Sequence, residues 1–133
     1  MGGRGASSGG KNGKTPKGYR RVDSIDGVHV IRNIRTGKGL PRQSSIPRAK
    51  YFGTNSSGKI TQMRLYDGYK NAKMDIDWGH AFEGNPIGTV HAHTWGNGIR
   101  STTHRMLTPT EIQKYKPIIK KATKRFDLLW QKH

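Results

Sequence analysis

The chain has 133 residues, 25 of them Lys or Arg against 8 Asp or Glu, with a formal charge of +17 and no cysteine. That length predicts one domain. The missing thiols exclude disulfides and thiolate metal sites, and no apolar run approaches the roughly 18 residues that a membrane span needs.

A field of this sign attracts polyanions, so nucleic acid or an acidic protein is the expected partner, with no membrane embedding. Hydrophobic residues make up 31% of the chain, enough for a small core over part of its length. Met1 leads into Gly, Ser and Lys rather than an apolar stretch, so no signal peptide is visible and a cytoplasmic location is expected.

Residues 1–21 hold seven Gly, six Lys or Arg and no acid. Such a segment buries too little apolar surface to offset its ordering entropy and reads as a flexible, disordered basic arm, leaving residues 22–133 as the domain. Val28 to Ile34 is β-branched and weakly alternating, which predicts a strand. Residues 35–58, with Pro41, Pro47 and Asn55-Ser-Ser-Gly58, read as loop, with short ordered pieces around Tyr51 and Phe52.

Two alternating runs, Ile60–Tyr66 and Tyr69–Asp77, flank Asp67-Gly68. Asp-Gly in that setting predicts a hairpin with a type I′ turn, whose central residues need positive φ. On the first run Met63 and Leu65 share one face, with Arg64 and Tyr66 on the other. On the second, Met74 and Ile76 alternate with Asp75 and Asp77. If the apolar residues define one core, the polar ones line one cleft. Gly79 to Gly88 reads as loop. Gly88 to Trp95 reads as a third strand ended by Gly96-Asn-Gly98, with His91 and His93 on one side, about 6.5–7 Å apart along the strand, and Val90, Ala92 and Thr94 on the other.

Thr108-Pro-Thr-Glu111 is a capping box with Pro at the first helical position. The helix it opens is expected to break at Pro117. Tyr115, Ile118, Ile119, Ala122, Phe126, Leu129 and Trp130 recur at helical spacing and predict an apolar stripe, with most of the lysines off it.

The chemistry concentrates between Arg64 and Trp95. Imidazole suits proton transfer near neutral pH, and His80, His91 and His93 lie close to Asp75 and Asp77 in sequence. RNA carries its own nucleophile, the ribose 2′-OH. An enzyme then needs a base, an acid and a cation for the phosphorane charge. His80, His91 and His93 are the acid–base candidates, Arg64 the charge stabiliser, Tyr66 a hydrogen-bond donor, and Asp77 the group that orients a His. Lys70, Lys73, Arg100, Lys120 and Lys124 are candidate phosphate contacts. The same residues support another reading, since His91-x-His93 with His80 or Asp77 is a permissive set for zinc or iron. His29, His104 and His133 have no comparable context.

The order Arg64-x-Tyr66, Asp-Gly turn, Asp75-Ile-Asp77, His80 and His91-x-His93-x-Trp95 resembles small nuclease-like domains at the ends of phage head-morphogenesis proteins and bacterial polymorphic toxins. These are similar to the Barnase-EndoU-ColicinE5/D-RelE superfamily. The match covers residues 60–107, and the opening Met1 to Gly9 looks like the Gly/Ser leader of phage and mobile-element proteins. The resemblance implies a compact α+β fold, a small twisted antiparallel sheet packed against helix, and metal-independent RNA cleavage without a cofactor. The matching positions are Arg64, Tyr66, His80, His91 and His93.

The leading expectation is therefore a metal-independent endoribonuclease of toxin or phage type, acting on RNA and held in check by an acidic immunity or inhibitor protein. One rival is a non-enzymatic phage or mobile-element protein that binds nucleic acid or inhibits a host defence complex. Another is a metal-dependent hydrolase built on the His and Asp residues.

Overall fold

The computed structural model describes residues 14–81, 84–123 and 128–130. Seven strands and a helix follow one another: β1 (Tyr19–Ile25), β2 (Val28–Asn33), β3 (Lys50–Thr54), β4 (Ile60–Tyr66), β5 (Ala72–Asp77), β6 (His91–Gly96), β7 (Ile99–Met106) and α1 (Pro109–Ala122). The strands form one sheet in chain order. Neighbours run antiparallel except β2 and β3, which are parallel because residues 34–49 carry the chain back across the sheet.

The class is α+β, but the sheet is larger than the small one expected. Of the three strands beyond those read from the sequence, β3 falls on the ordered piece expected around Tyr51 and Phe52, and the other two share a physical cause. β1 and β7 are the sheet's edges and are largely exposed or half-buried along their lengths, so neither carries an apolar alternation. β3 is short and lies between the Pro-containing connection and the Asn55–Gly58 turn. β1 also begins at Tyr19, inside the span read as a basic arm, so the folded part starts before residue 22. The first 13 residues of that span lie outside the described residues.

Two hairpins use left-handed pairs of the type I′ kind: Asp26 (φ 48°) with Gly27 (φ 82°) joins β1 to β2, and Asn97 (φ 52°) with Gly98 (φ 76°) joins β6 to β7. The β4–β5 hairpin forms as expected, but its turn differs. Asp67 Oδ1 accepts from the backbone N–H groups of Tyr69 (2.8 Å) and Asn71 (2.9 Å), and the left-handed residue is Lys70 (φ 71°). The carboxylate satisfies two loop amides, so a longer turn replaces the two-residue one.

The helix face of the sheet carries the larger core. Met63 pairs with Ile76 and Leu65 with Met74 across β4 and β5. These pack with Phe52, Trp78, Ala92 and Ile119. The capping box is present: Glu111 N–H donates to Thr108 Oγ1 (3.2 Å) and Thr108 N–H to Glu111 Oε1 (2.9 Å). Pro117 does not end the helix, which runs on to Ala122. An interior Pro costs a hydrogen bond, and here the packing of Tyr115, Ile118 and Ile119 against the sheet offsets it.

The stripe stops being helical before its expected end. Leu129 pairs with Thr89 as an extended bridge, donating to Gly88 O and accepting from Val90 N–H (both 2.9 Å). Phe126 and Lys124 lie outside the described residues. A smaller cluster, including Ile31, Leu40, Tyr51 and Tyr66, fills the opposite face under the 34–49 connection. No helix among the described residues is long and apolar enough to cross a membrane.

Candidate functional site

The site lies on the sheet face away from α1, where β4 to β7 project their polar residues. Register places these groups side by side: Gln62 opposite Asp77 and Arg64 opposite Asp75, Asp77 opposite His91 and Asp75 opposite His93, and His93 opposite His104. Period-2 alternation thus does what the sequence pattern implied. The residues that alternate with the core converge on one face.

Arg64 and Tyr66 do not take the roles expected of them. The Arg64 guanidinium grips both oxygens of Asp75, and its Nη1 donates to Leu40 O (2.8 Å) and Pro41 O (3.2 Å). Its Cζ lies 4.8 Å from the Trp95 ring centroid, and the residue is buried. The Tyr66 hydroxyl donates to Pro41 O, and burial pushes its ionisation well above the usual phenol range. Both side chains therefore hold the 34–49 connection on the sheet, and Arg64 commits four of its five N–H groups to Asp75, Leu40 and Pro41. That connection can lie so close because Gly53 is beneath it: a Cβ there would meet Leu40 Cγ at 2.7 Å.

Arg100, on β7, is the cation that faces out. Its Nε donates to Asp75 Oδ2 (2.8 Å) and its Nη2 reaches Asp77 Oδ2 (3.4 Å), with about a third of the side chain exposed. Asp75 is fully buried between two guanidiniums. Asp77 Oδ1 accepts the Gly79 N–H (3.0 Å) and sits 3.4 Å from His80 Nδ1. Gly79 makes this possible, since a Cβ there would meet Thr61 Cβ at 2.6 Å. The tight passage turns His80 back beside the carboxylate, half-exposed.

Behind it the imidazoles form a cluster. Ring centroids are 5.3 Å apart for His80–His91 and His91–His93, and 6.5 Å for His80–His93. His91 and His93 are buried. Their Nδ1 atoms meet backbone carbonyls, Thr89 O at 2.9 Å and Ser101 O at 3.3 Å. A carbonyl only accepts, so each Nδ1 carries the hydrogen and each Nε2 the lone pair. Burial lowers both groups; for His93 burial and the nearby Arg100 charge bring it down to about 4. Near pH 7 both rings are neutral.

One member of the cluster had no signal in the sequence. His104 lies 4.1 Å from His93 and stacks on His91 at 5.4 Å, planes 11° apart. Extending the Asn97-Gly98 turn register unchanged would put Thr102 opposite His93. The irregularity between Trp95 and His93 advances β7 and brings His104 there instead.

Asp77, His80 and Arg100 line a pocket of about 630 Å³ together with Lys38, Asn55, Gln62 and Arg64. Of the five expected phosphate contacts, only Arg100 lines it. Lys70 and Lys73 are exposed elsewhere on the β4–β5 hairpin, Lys120 is on α1 across the sheet, and Lys124 lies outside the described residues. Lys38 was not singled out in the sequence, because nothing local marks a loop lysine that folding carries across the sheet. One nitrogen or oxygen from each of Asp77, His80, His91 and His93 lies within 4.8 Å of the others, a set able to hold a metal ion. Comparison with known protein families, with curated proteins and with solved structures found no match.

Proposed function

We propose that the protein is a nuclease that cleaves nucleic-acid phosphodiesters, RNA foremost, in the pocket bounded by Lys38, Asp77, His80 and Arg100. The observation that carries this reading is the half-exposed His80, backed by Asp77 and flanked by the outward-facing Arg100, in a chain of charge +17. A +17 chain draws in the polyanion, Arg100 and Lys38 hold phosphate oxygens, and charge building on phosphorus meets a positioned guanidinium.

A relay between two imidazoles, the arrangement the sequence suggested, fits this geometry poorly. His91 and His93 are buried, with Nδ1 committed to carbonyls. One exposed imidazole does not supply base and acid in the same step. Activation therefore centres on the point where His80, Asp77 and the buried pair converge.

The test is digestion of end-labelled single-stranded RNA by the wild type, His80→Ala and Arg100→Ala, with folding checked by circular dichroism. His80→Ala should lose about 10²- to 10⁴-fold in rate, and Arg100→Ala about 10²- to 10³-fold. Cleavage undiminished in His80→Ala, or absent in the wild type, defeats the proposal, and RNA binding without cleavage would leave the non-enzymatic binder. A matched strand with one 2′-deoxy sugar tells whether the ribose hydroxyl is the nucleophile. An acidic inhibitor protein is the partner that charge complementarity favours.

A further inference from the structure

We infer that Asp77, His80, His91 and His93 form a binding centre for a first-row transition dication of the zinc or iron(II) kind, at the inner end of the same pocket.

Three independent features of the geometry carry this. The first is convergence: four donors from β5, the Gly79 turn and β6 come within 4.8 Å of one another. Tetrahedral zinc with ligands at about 2.0–2.1 Å needs donors some 3.4 Å apart, so the widest separation of 4.8 Å has to contract by about 1.4 Å. His80, half-exposed and on a turn rather than in a strand, is the member able to move.

The second is orientation. Ligating imidazoles typically donate their other N–H to a backbone carbonyl or carboxylate, which fixes tautomer and ring direction before the ion arrives. His91 does this to Thr89 O and His93 to Ser101 O.

The third is an unmet lone pair. His93 Nε2 is buried and meets no hydrogen-bond partner among the described residues. Burying a polar atom without a partner is costly, and native structures rarely do so without a reason. A metal ion supplies the missing acceptor of that lone pair.

The donor set selects the class of ion. Imidazole-rich sites suit zinc, iron and copper, whereas magnesium and calcium take oxygen ligands. Charge is consistent with an anionic substrate. The two carboxylates Asp75 and Asp77 are balanced by Arg64 and Arg100, so a bound dication would leave the pocket positive. An ion placed there polarises a phosphoryl oxygen or lowers the pKa of a bound water or hydroxyl. Only this catalytic consequence rests on the nuclease reading; the ion binding stands apart from it.

The experiment uses the full, untagged chain, stripped with chelator and titrated calorimetrically with zinc and, in parallel, with cobalt(II) followed by visible absorption. One equivalent per chain is expected, with cobalt d–d bands typical of nitrogen and oxygen ligands. His80→Ala should bind at least tenfold more weakly, Asp77→Asn should also weaken binding, and His93→Gln should lose stoichiometric uptake. His29→Gln, on β2 and away from the cluster, should bind like the wild type.

Since His93→Gln removes a buried ring, the melting temperature is read as well. Zinc should raise it in the wild type by mass action, and His80→Ala, a change on the surface, should lose that increment while keeping the apo value. Failure of the wild type to take up either ion, or binding by His80→Ala and His93→Gln as tight as that of the wild type, overturns the inference. Zinc binding without RNA cleavage would sink the nuclease reading and keep the centre. Cleavage undiminished in excess EDTA by protein that takes up no zinc would do the reverse.

Discussion

The two faces of the β4–β6 sheet are built from alternate residues of the same three strands, yet they are held together in opposite ways. On one face Met63, Leu65, Ile76 and Ala92 pack under α1 through apolar contact. On the other, Arg64, Asp75, Asp77, His91 and His93 are as deeply buried but hold to one another by charge and hydrogen bonding. Burying apolar area is favourable without directional demands. Burying ions is stabilising only if every partner is in place, and an apolar replacement is often as stable. The helix face therefore supplies the non-directional part of the stability, and the polar face is an ordered array whose members depend on one another.

The sharpest way to break the comparison is to remove one charge. Asp75→Ala strands the buried Arg64 guanidinium and should cost about 3–5 kcal/mol of stability, whereas replacing Arg64 and Asp75 together by Met and Leu should be far milder. Urea titrations of the two variants measure it, and equal losses would mean that the pair is not the coupled unit described. On the helix face Ile119→Ala should cost about 2–5 kcal/mol through transfer and cavity terms. Zinc uptake per folded molecule should stay at the wild-type level, because Ile119 packs in the core cluster on the opposite face of the sheet. A change in uptake would show that the faces are energetically linked.

Thr108→Ala tests the capping box alone and should cost about 1 kcal/mol, seen as a lower urea midpoint. The smallest effect is a pH dependence at the same helix end. The Arg105 guanidinium, helped by the Thr108 N–H, holds the Glu111 carboxyl down at about 2, from an ordinary value of 4.5. Because the folded value is the lower one, this stabilisation is complete above pH 4.5 and fades as pH falls toward 2. Glu111→Gln should therefore lose stability less steeply than the wild type across that window. Parallel slopes in the two proteins would rule the Arg105 pairing out as the cause.

The same contrast explains what could be read in advance. The alternation of Ile60–Tyr66 and Tyr69–Asp77 disclosed both faces, and the Thr108–Glu111 box located the helix start, because each signal is local and repeated. The edge strands β1 and β7 were invisible because an edge that is exposed or only half-buried along its length has no apolar pattern to display. His104 was hidden for the same reason, compounded by the irregularity in β7 that no turn residue announces. Arg64 misled because a lone guanidinium among imidazoles looks like a substrate clamp. Nothing local shows that the Leu40 and Pro41 carbonyls, more than twenty residues away, will be brought to meet it.

By itself the sequence determined the strong positive charge, the sheet-and-helix class, and the separation of apolar from ionisable residues on the central strands. These follow from composition and from a two-residue period, which any local stretch of chain obeys. Only the tertiary structure decided which ionisable groups face solvent. Arg100 and Lys38 reach solvent at the pocket, while Arg64 at its wall and Tyr66 are buried and tied to the 34–49 connection, and the Nδ1 atoms of His91 and His93 are turned to backbone carbonyls. Those outcomes depend on where a connecting loop and an edge strand come to rest, and that is settled by contacts between residues distant in the chain.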